Sequence, residues 1–116
     1  MTLSYLEKYV QKSSSALVGR DNGESLFTKL KENNILLSQI EKEFDKIIIT
    51  IPDFIITINK SYFLGWLETR IIELGKDDFM KKYKFITSEH LEERFIEFVD
   101  SALLNSTQTE ILKENI

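Results

Sequence analysis

The polar triplet Asn59-Lys60-Ser61 is where the residue types and spacing of this chain best suit regulatory chemistry. A serine at the start of a helix suits a phosphate, because free backbone N–H groups and the helix dipole both favour negative charge there. Phosphorylation would add about −1.5 to −2 charges to that surface. The same residues also have a plainer use, since Asn59 and Ser61 are both favoured helix N-caps. Tyr62, Trp66, Thr69 and Glu73 follow as a helical line at the margin of an apolar stripe. If buried, Tyr62 and Trp66 are core residues. If exposed beside Ser61, they are anchors for a partner, because large aromatics dominate interface hot spots. Lys60 would sit close enough to moderate any charge placed on Ser61.

Elsewhere, chemistry is thinner. Gly19-Arg20-Asp21-Asn22-Gly23 is not a phosphate loop, since it lacks the Gly-Lys-Ser/Thr ending. It reads as a turn opening a helix, with Asp21 as cap and Glu24 closing a capping box. In a functional reading, Arg20 and Asn22 are exposed contacts for a partner. His90 is the chain's one histidine, has no nucleophile to serve and reads as a surface residue. Glu89, Glu93 and Glu97 form a like-charged line that reads as a solvated face, with an acidic docking stripe as the alternative. Asp77-Asp78 is a poor metal site because adjacent side chains diverge. No catalytic residue, metal ligand or cofactor site is expected.

The elements that must position Asn59-Lys60-Ser61 begin with an apolar run. Ile47-Ile48-Ile49-Thr50-Ile51 meets Pro52-Asp53 and resumes as Phe54-Ile55-Ile56-Thr57-Ile58. β-Branched residues without polar alternation predict a strand buried on both faces, as in a parallel sheet covered by helices. The triplet then falls at the carboxyl edge of that sheet, where open α/β folds place their sites. Phe63, Leu64, Leu67, Ile71 and Leu74 share about 100° of a helix, and Gly75 ends it.

Residues 2–12 fit either a helix, through Leu3, Leu6 and Val10, or an edge strand, through Leu3, Tyr5 and Tyr9. A first helix carries Leu26, Phe27 and Leu30 and ends at Asn33-Asn34, and a second helical piece lies within 35–45. Tyr83-Lys84-Phe85-Ile86 reads as a strand. Ser88 caps a last helix with Leu91, Phe95, Phe98, Val99 and Ala102 on one face. The segment from 105 to 116 lacks a sustained pattern and is expected to fray. The pattern gives one α/β domain over residues 1–104, with a mixed, mostly parallel sheet of about four strands flanked by helices.

Composition narrows the function classes. With 116 residues the chain suits one domain, and its 42% hydrophobic content supplies a core. A net charge of −4 argues against a general nucleic-acid surface, which relies on clustered Lys and Arg. With no cysteine there is neither a disulfide nor thiol chemistry. The amino terminus shows no signal-peptide pattern, and no apolar run nears the ~20 residues that span a bilayer. A cytoplasmic protein without membrane or nucleic-acid partners is the expectation, and self-assembly is compatible with it.

In order along the chain, Leu17-Val18-Gly19-Arg20-Asp21-Asn22-Gly23-Glu24, Ile47-Ile48-Ile49-Thr50-Ile51-Pro52-Asp53-Phe54, Ile58-Asn59-Lys60-Ser61-Tyr62-Phe63-Leu64-Gly65 and Leu74-Gly75 to Tyr83-Lys84-Phe85 form a set. Across roughly residues 3–104 this set resembles the bacterial STAS-like domain family, small domains related to anti-sigma-factor antagonists. The resemblance implies a mixed sheet flanked by helices and a regulatory role in protein binding rather than catalysis. In phospho-regulated members, a kinase of the histidine-kinase ATPase type modifies a serine just before a helix. Ser61 falls in that region, although Asn59 replaces the family's acidic residue and Tyr62 its usual glycine. The resemblance implies docking on such an ATPase or another regulator, through Ser61 with Asn59, Lys60, Tyr62 and Trp66, and with Arg20 and Asn22 nearby. A small-ligand or nucleotide-binding module is the alternative, and an enzyme ranks below both.

Overall fold

A computed structural model describes residues 2–3, 9–10 and 15–114, with only the backbone described at 2–3 and 105–114. The elements are β1 (Thr2–Leu3), β2 (Ala16–Leu17), α1 (Arg20–Glu32), α2 (Leu37–Glu43), β3 (Ile47–Thr50) and β4 (Thr57–Ile58). They continue with α3 (Lys60–Leu74), α4 (Lys76–Lys82), β5 (Tyr83–Ile86) and α5 (Glu89–Glu114). The chain is therefore α/β. Its strands form two small parallel sheets, ordered β1-β3-β5 and β2-β4, rather than one mixed sheet.

The apolar run at 47–58 divides between these sheets. Ile47 and Ile49 are fully buried on one face of β3, whereas Ile48 and Thr50 are only half-buried on the other. The expectation of a strand covered equally on both faces is corrected accordingly. Pro52 cannot donate to a ladder, and its carbonyl instead accepts from the Ile55 N–H in a turn. β4 then pairs with β2, setting Ala16 against Thr57 and Leu17 against Ile58. β5 pairs with β3 from Ile47–Tyr83 to Thr50–Ile86.

Between residues 2 and 12, the strand alternative holds at Thr2–Leu3, which lies parallel to Ile48 and Ile49. Most of that segment, including Tyr5 and Leu6, lies outside the described residues. α5 continues through Glu114, beyond the limit read from the sequence, so most of the segment read as a tail belongs to the last helix.

Phe63, at the start of α3, sits at the centre of the core. Its ring stacks on Phe95 at 4.7 Å and meets Phe98 at 5.4 Å and Phe85 at 5.9 Å. Leu67, Ile71, Phe98 and Ala102 are buried with it, as their spacing predicts. Gly75, at φ 80°, ends α3 in a conformation that only glycine adopts without strain.

Candidate interaction site

The amino end of α3 is fixed from both sides. The Asn59 Oδ1 accepts from the Tyr62 N–H at 2.9 Å, which caps the helix. The same oxygen accepts from the Gly19 N–H at 3.3 Å, tying the cap to the loop before α1. Asn59 is therefore the cap, and the Ser61 alternative is corrected. Ser61 lies inside the first turn, where its side chain is exposed and makes no hydrogen bond among the described residues. Lys60 is exposed beside it.

α1 packs unusually close to this point. A Cβ at Gly23 would stand 2.0 Å from the Tyr62 carbonyl oxygen, and one at Gly65 would stand 2.3 Å from that of Arg20. The two glycines let the backbones touch. Gly19, at φ 94°, takes the cap position two residues before the expected Asp21, and no side chain caps this helix. The Asp21–Glu24 capping box is thus overturned, because the turn closes at a glycine anchored to Asn59. Asn22 instead donates from Nδ2 to the Val18 carbonyl at 2.9 Å. Arg20 reaches along α3 and pairs with Glu68 at 3.1 Å, both partly exposed. The structure thus ties the segment carrying Arg20 and Asn22 to the Asn59 cap through Gly19, while the Arg20 side chain goes to Glu68 and Asn22 to Val18.

Tyr62 and Trp66 do not join that surface. They are 4% and 1% exposed, so they provide no external anchor and that reading is corrected. α1 covers the flank of α3 that the sequence leaves as a margin. Trp66 meets the edge of Phe85 at 6.3 Å, and its Nε1 has no hydrogen-bond partner among the described residues.

A second group of residues escaped the sequence reading. Arg70 and Glu41 are both buried and joined by two hydrogen bonds, Nε to Oε2 at 2.9 Å and Nη2 to Oε1 at 2.5 Å. The Tyr83 hydroxyl also donates to Glu41, and Arg70 Nη1 reaches Glu73 at 2.5 Å. Lys82 donates to the Glu41 and Phe44 carbonyls at 2.8 and 2.7 Å, closing the end of α2. The available signal was Arg70 falling four residues after Trp66 on the Tyr62 line. These residues border a depression of about 590 Å³ with Lys42, Asp45, Asp78 and Lys81. Its four cations match four carboxylates, so the lining carries no net charge, and the hydrogen-bonded group acts as a brace between α2, α3 and β5.

Asp77, Asp78 and His90 are exposed, as are Glu89, Glu93 and Glu97 along α5. Among the described residues, no three His, Asp or Glu side chains converge to hold a metal ion. No helix among them is long and apolar enough to cross a membrane. Comparison with protein-family models, curated proteins and solved structures returns no match.

Proposed function

We propose that the protein is a non-catalytic regulatory domain that binds another protein through the amino end of α3, as its resemblance to STAS-like domains implies. The carrying observation is the division of labour between Asn59 and Ser61. Asn59 does the capping, so folding places no demand on the exposed Ser61 hydroxyl. A phosphoryl group there would meet the positive end of a 15-residue helix and the neighbouring Lys60 ammonium. The Gly19–Asn59 bond, which ties the segment carrying Arg20 and Asn22 to this cap, supports counting those two residues at the margin of the contact. The partner implied by the resemblance is a histidine-kinase-type ATPase or a related regulator, met in the cytoplasm.

Affinity capture from the native host with wild-type, Ser61→Ala and Ser61→Asp baits tests this reading. The expected outcome is a protein retained by wild type and Ser61→Ala and lost with Ser61→Asp, because the added carboxylate would have to be desolvated at the interface with only Lys60 and the helix end to offset it. Equal retention by wild type and Ser61→Asp would end the switch. Retention that survives changes at Lys60, Ser61 and Arg20 together would move the contact elsewhere.

A further inference from the structure

Arg20, the first residue of α1, lies over α3 between Ser61 and Glu68. A Cβ at Gly65 would stand 2.3 Å from the Arg20 carbonyl oxygen and 3.1 Å from the Arg20 Cα. Ser61 falls four residues before Gly65 and Glu68 three after it. Helical neighbours at those spacings hold their Cβ atoms about 5–6 Å apart. The Arg20 Cα is therefore within about 9 Å of the Cβ atoms of both residues. Ser61 and Glu68 also share a face of α3, because seven residues make nearly two turns.

Arg20 already spans to one of the two. Its Nη2 donates to Glu68 Oε2 at 3.1 Å, with the two side chains 46% and 31% exposed. An ion pair this open contributes little, because water screens it and two long side chains lose freedom. It is also a single hydrogen bond, so the guanidinium fork is not engaged at both prongs. The side chain that reaches Glu68 from above Gly65 reaches Ser61 from the same base. Ser61 is exposed there and its hydroxyl has no partner among the described residues.

We propose that a phosphoryl group on Ser61 draws Arg20 away from Glu68, which makes Arg20 the phosphate-binding residue of this surface. The inference rests on the reading of Ser61 as a phospho-switch. In the transfer, the Ser61 Oγ bonds to the γ-phosphorus of a nucleoside triphosphate and the bond to the bridging oxygen breaks. The diphosphate leaves, and the hydroxyl proton passes to a base of the kinase. The phosphate brings about −1.5 to −2 charges and three acceptor oxygens. A guanidinium meets two such oxygens side by side, which the present contact with Glu68 does not match. The carboxylate of Ser61→Asp only equals that of Glu68 in charge and leaves Arg20 where it is. Phosphorylation thus moves two charges: the new anion is covered by Arg20 and Lys60, and the Glu68 carboxylate is bared two turns further along α3.

The experiment compares the full chain, unmodified and with phosphoserine at position 61, by NMR of the arginine Nε–H groups and of phosphorus. The Arg20 Nε–H signal should move downfield on phosphorylation, while Arg70, held by Glu41, should stay in place. Arg20→Gln, at an exposed position, should shift the phosphorus signal of the phosphorylated chain, and Lys60→Gln should leave the Arg20 response intact. An Arg20 signal that ignores phosphorylation, or a phosphorus signal that ignores Arg20→Gln, overturns the exchange. No partner enters the measurement, so that result leaves the docking surface standing. Capture that ignores Ser61 would instead overturn the docking reading while the exchange stays measurable.

Discussion

Arg70 holds Glu41 through two parallel hydrogen bonds in the interior, with Tyr83 donating to the same carboxylate. Three elements that are distant in sequence therefore meet at one charge. A buried ion pair contributes little net stability against an apolar replacement, but it is costly to break from one side.

Arg70→Met should accordingly destabilise the fold by about 3–5 kcal/mol, since it strands the Glu41 carboxylate without its cation. The double change Arg70→Met with Glu41→Leu should recover much of that loss. Denaturant unfolding of both single variants and the double gives the coupling directly. An additive result would mean that the pair is not coupled.

Capping separates Asn59 from its neighbour. Asn59→Ala removes the acceptor for both Tyr62 and Gly19, and should cost about 0.5–2 kcal/mol. Ser61→Ala should stay within about 0.5 kcal/mol of wild type, as expected for a surface change. Thermal melts of the two variants decide the point, and equal losses would return the cap to Ser61.

Gly23→Ala should push α1 away from α3, because the new methyl would stand 2.0 Å from a backbone oxygen that cannot swing aside. The expected cost lies toward the top of the ~1–3 kcal/mol typical of overpacking. Gly65→Ala meets the Arg20 carbonyl from the other helix and should behave alike. Amide shifts at Gly19 and Asn59 would report whether the loop follows α1.

Phe95→Ala should cost about 3–5 kcal/mol, since the ring is 2% exposed and stacked on Phe63. A loss below about 1 kcal/mol, measured by urea unfolding, would place this face of α5 at the surface.

Alkaline pH should weaken the fold through its buried phenols. Tyr62 ionises near 10 when solvated and is pushed up to about 12 by burial. The unfolded chain thus releases this proton first, so the contribution is complete below pH 10 and is lost as pH climbs toward 12. Burial and the hydrogen bond to Glu41 raise Tyr83 in the same direction. Urea midpoints measured across that window should fall for wild type and fall less for Tyr62→Phe.

The helices were legible where one face repeats without interruption. Phe63, Leu67 and Ile71 in α3, and Leu91, Phe95 and Ala102 in α5, follow the 3.6 period and are buried. Strand partners were not legible, because Pro52 marks a break without saying that Ile47 and Ile58 join different sheets. The start of α1 misled for a related reason. A local capping pattern lost to the positive φ of Gly19 and to a bond from Asn59, forty residues away. Asn59 and the exposed Ser61 were readable as a pair, but only packing assigned the cap to one of them. Burial of Tyr62 and Trp66 depended on α1 covering a second side of α3, and the partners of Arg70 were likewise long-range.

Parallel pairing also sets a timetable for the nascent chain. Among the described residues no ladder closes through a hairpin, because Thr2 pairs with Ile48, Ala16 with Thr57 and Ile47 with Tyr83. At ~5–20 residues per second, the ribosome needs on the order of a few seconds to pass from Ile47 to Tyr83. Throughout that interval, β1 is the strand of its sheet already made, and the opposite edge of β3 waits uncovered. An Ile-rich edge held open for seconds is a natural target for holding chaperones, and delay before Tyr83 emerges should favour aggregation over native folding.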